Sequence, residues 1–89
     1  MNKNYKQAAE MAKDMIFQFC IERMEDKNIT YKELSGILQI STDDLKQYLN
    51  NKKEMPFGLF LQMLGALELR PYLIPAEEDN NTMQRMFFN

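Results

Sequence analysis

The chain has 89 residues, of which 45% are hydrophobic and 27% charged, with a formal net charge of -2 at pH 7 and a pI near 5.1. This suffices for one domain with a real core and argues against wholesale disorder. The acidic balance has the wrong sign for bulk attraction to nucleic acid, and the lack of histidine removes the commonest general base and a His metal ligand, so neither an enzyme nor a cofactor is expected.

Cys20 is the single cysteine, which excludes an intrachain disulfide and a multi-cysteine metal site and suits a reducing compartment. The richest apolar stretch, residues 57–69, is broken by Gln62, Gly65 and Glu68, so it lacks the run of roughly 18 apolar residues that a membrane span needs. The opening MNKNYKQAAEMAKD is polar and mixed in charge, unlike a signal peptide. A soluble, cytoplasmic protein with no membrane association is expected.

Residues 3–27 contain no Gly or Pro and are rich in good helix formers, which predicts one long helix, frayed before Lys6. Met11, Met15, Phe19 and Met24, with Ala8, Ala12 and Ile16 beside them, form its expected apolar stripe. Asn28 offers the left-handed stop. Thr30 and Glu33 then have capping-box spacing, and Leu34, Ile37 and Leu38 are expected to form the buried face of a second helix. After Ile40 the pattern restarts. Ser41 or Thr42 can cap a third helix, Asp43 and Asp44 favour its positive end, and Leu45, Tyr48 and Leu49 repeat the apolar spacing. The short interval between the two apolar faces matches a helix-turn-helix.

NNKKE, residues 50–54, reads as a polar loop, and Pro56 suits the first turn of a fourth helix, residues 57–69, that is apolar nearly all round. Gly58 and Gly65 share one face of it; they either permit close approach of another backbone or are merely tolerated. LRPYLIP, residues 69–75, predicts an edge strand or extended arm because Pro71 cannot donate to a sheet ladder; pairing with a second copy and lying on the body are the two alternatives. Residues 76–89 read as a flexible tail, a polar linker followed by MQRMFF, whose Phe87-Phe88 pair either docks or frays.

With these elements in place, residues 16–75 resemble the lambda-repressor-like, or XRE, helix-turn-helix family. Its second helix reads Leu-Ala-x-x-Leu-Gly-Val-Ser, and Leu34, Ser35, Leu38, Gln39, Ile40 and Ser41 occupy those places. Leu45 stands at the Ile or Val of the recognition helix, Asn51, Lys52 and Lys53 continue Glu-x-Gly-Lys, and GALEL at 65–69 looks like the closing Ala-Leu-Gly-Val. Asn28 and Asn51 replace usual glycines with the next most tolerant residue; Gln39 replaces the central-turn glycine and stores about 1 kcal/mol if its φ is positive.

The resemblance implies an all-α fold, a compact five-helix-type bundle over residues 1–75 with a short C-terminal arm or edge strand, and a dimeric regulator that reads double-stranded DNA. It implies base contacts by Thr42, Asp43, Lys46 and Gln47, and phosphate contacts by Thr30, Tyr31, Asn50, Lys52 and Lys53. Two alternatives stay open. Asp43 and Asp44 serve equally well to stabilise a helix N-terminus, and lysines in a polar loop are ordinarily just solvated. Across residues 30–53, Lys32, Lys46, Lys52 and Lys53 against Glu33, Asp43 and Asp44 leave a net charge of +1. The competing reading is a protein-interaction module on the same fold, binding a toxin or partner regulator, favoured by the acidic balance and the eight methionines.

Overall fold

The computed structural model describes residues 4–75, in which the chain is helix and turn. Asn4 accepts the Gln7 amide and starts α1, Tyr5–Lys27; α2 (Tyr31–Leu38), α3 (Thr42–Leu49) and α4 (Phe57–Ala66) follow. Thr30 and Glu33 make the expected capping box on α2, and Ser41, rather than Thr42, caps α3 by accepting the Asp44 amide. Among the described residues there are four helices, not five. Beyond α4, Pro71 and Pro75 and the Tyr-Leu-Ile between them give no further helix, and between α3 and α4 the chain only turns.

Every one of these helices stops in the same way. At the end of α2, Gln39 turns left-handed (φ 59°), its N–H donates to Gly36 O, and the N–H of Ile40 donates to Ser35 O. Asn28, Asn51 and Glu68 repeat this after α1, α3 and α4. Three of the four residues that follow, Ile29, Ile40 and Leu69, then pack half-buried against the core, the apolar contact that accompanies such a stop. The left-handed turns at Asn28, Gln39 and Asn51 thus stand as the sequence suggested. Glu68 adds a fourth and ends α4 at Ala66, short of residue 69.

Leu34, Leu45, Met63, Leu67 and Cys20 are fully buried, and Phe17, Met24, Leu38, Leu49, Met55 and Leu64 surround them. Two expected faces are corrected. On α1 the core takes Ala12, Phe17, Cys20 and Met24, while Met11 and Phe19 remain 59% and 56% exposed and Met15 lies at the edge of exposure. Residues 11, 15 and 19 step by four and drift about 40° per step around the helix; the 17-20-24 line alternates steps of three and four and stays in register with the core. On α2 the buried side is Leu34, Ser35 and Leu38, with Ile37 exposed. The helix is rolled toward Ser35, whose hydroxyl donates to Lys32 O at 3.0 Å and meets Thr42 Oγ1 at 2.9 Å.

No strand forms among the described residues. After Leu69 the chain is irregular to Pro75, with Tyr72 and Leu73 projecting into solvent, because a strand needs a ladder partner and none is present among the described residues. A Cβ at Gly58 or Gly65 would meet nothing within 4 Å, so no backbone of the same chain approaches there. The expected tail, residues 76–89 with Phe87-Phe88, lies outside the described residues. No helix of the described residues is long and apolar enough to cross a membrane.

Candidate nucleic-acid interface

Leu45 and Leu49 anchor α3 in the core, which turns the opposite side of the helix outward with Asp43 and Lys46 exposed and Gln47 half-exposed. Asp43 and Gln47 are one helical turn apart, and the Gln47 amide donates to Asp43 Oδ2 at 2.6 Å. One amide hydrogen and the carbonyl oxygen of Gln47 are not used by that bond. That pair is the donor and acceptor set that matches an adenine edge, so the carboxylate orients the amide without consuming its reading capacity.

Thr42 differs from its neighbours. Since Ser35 gives its proton to Lys32 O, Thr42 supplies the proton of the hydroxyl pair, and its oxygen is directed inward. Only its methyl group is left for a thymine methyl.

The N-terminus of α2 flanks this face. Thr30's backbone N–H donates to the Glu33 side chain, so that amide is unavailable to a phosphate, and the Thr30 hydroxyl oxygen accepts the Glu33 amide. The Thr30 backbone N–H first, and the Thr30 side chain second, hold the Glu33 carboxyl below its ordinary range. Tyr31 is half-buried, and Lys46 Nζ lies 5.7 Å from its ring centroid. This cation–π contact brings an expected base contact and an expected phosphate contact together across the corner.

The α3–α4 turn supplies the other side. Lys53 Nζ is 2.8 Å from Asp44 Oδ1; the hydrogen bond, and secondarily the charge, lowers the pKa of Asp44 and raises that of Lys53. Lys53 thus stands as a charged ammonium paired with Asp44. Asn50 and Lys52 are exposed, and Lys52 forms no ion pair among the described residues. All nine expected residues thus lie along α3, its two turns and the adjoining end of α2. The exposed cations of this region that form no ion pair among the described residues are Lys32, Lys46 and Lys52.

Three tethers that fix this platform were not visible in the sequence. Asn51 donates to Asp14 of α1, Lys13 pairs with Glu54 at 3.0 Å, and Arg23 Nε donates to Leu67 O at 3.0 Å. Each joins residues 37 to 44 apart in the chain, beyond anything that local spacing signals. In class the molecule is an all-helical domain that presents one short, polar, core-anchored helix. Compared with known proteins, the chain matches no family model, no curated protein and no solved structure.

Proposed function

We propose that this chain is a sequence-specific DNA-binding transcriptional regulator of the lambda-repressor-like helix-turn-helix type, acting as a dimer with α3 in the major groove. The observation that carries the reading is the outward row Asp43, Lys46 and Gln47 on a helix fixed from behind by Leu45 and Leu49, joined to α2 through the left-handed turn at Gln39. In this role Gln47 reads adenine with the amide that Asp43 orients, Asp43 accepts from a cytosine amino group through its remaining lone pairs, and Lys46 reaches the acceptors of guanine. Thr42 contributes its methyl group. The hydroxyls of Thr30 and Tyr31, the Asn50 amide and the Lys52 ammonium position the backbone. Lys53 takes part only by exchanging Asp44 for a phosphate.

Two variants separate reading from positioning. Gln47→Ala relaxes the preference at one base pair by about 1–3 kcal/mol, while Lys52→Ala weakens specific and random duplexes alike and lowers the salt slope by about one unit. Equal small losses on both duplexes for both variants would sink the assignment.

A second reading, a protein-interaction module, is favoured by a different observation: Met11, Met15 and Phe19 form an exposed apolar stripe on α1 that the core leaves uncovered. Partner binding through that stripe is insensitive to the substitutions on α3 and changes little with salt.

A further inference from the structure

The exposed side of α4 has a pattern that fits itself. Over its ten residues, FGLFLQMLGA, the helix carries no charge, and Met63 and Leu64 face the core. Phe57, Leu61 and Gly65 lie at successive steps of four on the outer side, with Phe57 72% exposed, Leu61 40% exposed and open space above Gly65. Phe57 and Gly65 are equidistant from Leu61. In an antiparallel pair of α4 helices centred on Leu61, each Phe57 ring meets the bare backbone at Gly65 of the partner subunit, and Leu61 meets its own copy on the axis. A two-fold interface requires this reciprocity, in which residue i touches j and j touches i.

A second, separate observation lies at the start of the same helix. An apolar groove of about 450 Å³ opens between α1 and α4, lined chiefly by Ile16, Phe17, Met55, Phe57 and Phe60. Its aromatic wall is ordered: Phe60 meets Phe17 edge-on at 6.2 Å and stacks on Phe57 at 6.3 Å. At the other end of α4, Tyr72 and Leu73 are 77% and 94% exposed. Antiparallel pairing places the end of one α4 beside the start of the other, roughly 15 Å of helix away in its own chain but adjacent in the pair. Tyr72 is three residues beyond the half-buried Leu69, a reach of up to about 10 Å.

We infer that the partner for this surface is a second copy of the chain, with the two α4 helices packed antiparallel about Leu61 and Tyr72–Leu73 of each copy seated in the α1–α4 groove of the other. The inference deepens the dimeric part of the function proposed above and rests on it, whereas DNA contact by α3 does not enter. Including the arm brings the buried area toward that of a stable dimer. A stable interface buries about 1,200–2,000 Å² in total. The exposed parts of Phe57 and Tyr72 offer on the order of 300 Å² per protomer, and only with Leu61, Leu73 and the groove walls added does the sum approach that range.

The test is sedimentation velocity of the full chain over a concentration series, with Gly65→Leu, Leu73→Asp and the wild type compared, each checked for unchanged helicity by circular dichroism. Gly65→Leu fills the space meant for the partner's Phe57; a Cβ at 65 meets nothing within 4 Å in the protomer, and Leu73 is 94% exposed. The inference expects a dimer whose dissociation constant rises by about tenfold or more in each variant. It also expects Leu61→Cys, but not Lys32→Cys, to give a covalent dimer on oxidation with diamide. A monomeric wild type, indifference of the dimer to either substitution, or failure of the cysteine at 61 to cross-link would overturn it. DNA binding measured on the same variants at the level of a single protomer reports on the reading helix separately.

Discussion

At the residue scale, glycine and left-handed backbone have been dissociated. Asn28, Gln39, Asn51 and Glu68 hold φ between 58° and 60°, while Gly36, Gly58 and Gly65 sit inside helices where a Cβ would meet nothing within 4 Å. A non-glycine side chain in that region stores about 1 kcal/mol, less for Asn, and a helical glycine costs about 0.5–1 kcal/mol relative to alanine. Gln39→Gly and Gly36→Ala should therefore each raise the unfolding free energy by about 0.5–1 kcal/mol, measured by urea denaturation; a loss in both would contradict the account. The two asparagines were legible as stops because Asn tolerates this conformation. Glu68 was not. Glutamate has no such preference and the apolar pattern of α4 runs on through Leu69; the turn is closed by the backbone bonds Glu68 N–H to Gly65 O and Leu69 N–H to Leu64 O, with the exposed Glu68 side chain paired to Lys27 of α1. Cys20 shows the opposite case of a residue read correctly but incompletely: burial at the centre of the core, which the sequence could not locate, pushes its thiol up to about 11 and makes it a packing group.

At the scale of elements, α1 is the brace. Arg23 donates to the carbonyls of Leu67 and Glu68, at 3.0 and 3.5 Å, supplying a cation where α4 ends and its last carbonyls lack helical partners. Arg23→Met keeps the aliphatic stem but removes those bonds. The expected loss is about 1–2 kcal/mol of stability, with hydrogen exchange of the α4 amides speeding up more than that of α2 or α3. An unchanged α4 would mean that Leu67 and Leu69 alone hold the turn. The existence of α1 to α4 followed from propensity, caps and spacing, since these are local. The phase of α1 did not. Its apolar residues cover so much of the circumference that two stripes compete, and only the shape of the core, made by residues far along the chain, selects Phe17, Cys20 and Met24 over Met11, Met15 and Phe19.

At the scale of the whole molecule, three ion pairs are present among the described residues, Lys13–Glu54, Lys27–Glu68 and Lys53–Asp44. The carboxyls of Glu33, Asp44 and Glu68 are all lowered, by the Thr30 backbone, by Lys53 and by Lys27 respectively, mainly through hydrogen bonds. A carboxyl with a depressed folded pKa contributes stability that is present above its unfolded pKa and lost as pH falls through the folded value. Stability should accordingly fall as pH drops through the carboxylate range, and Glu33→Gln should flatten that acid limb while lowering stability at neutral pH; an equally steep limb in the variant would remove Glu33 from the explanation. The same pairing bears on function. The positions of the candidate DNA contacts followed from the sequence, because caps and apolar spacing orient α3, but their present partners did not: Asp43 on Gln47, Asp44 on Lys53 and Ser35 on Thr42 depend on rotamers and on the roll of α2. The central claim is that α3 reads DNA despite this thin positive charge. Fluorescence anisotropy of the chain on a short duplex from upstream of its own coding region, against random duplex over a salt series, tests it most directly. The account predicts preferential binding that weakens with salt, with a log–log slope of about -0.9 per phosphate contacted. Absence of binding at low salt by protein that is demonstrably folded would contradict it and turn the search toward a protein partner for the α1 stripe.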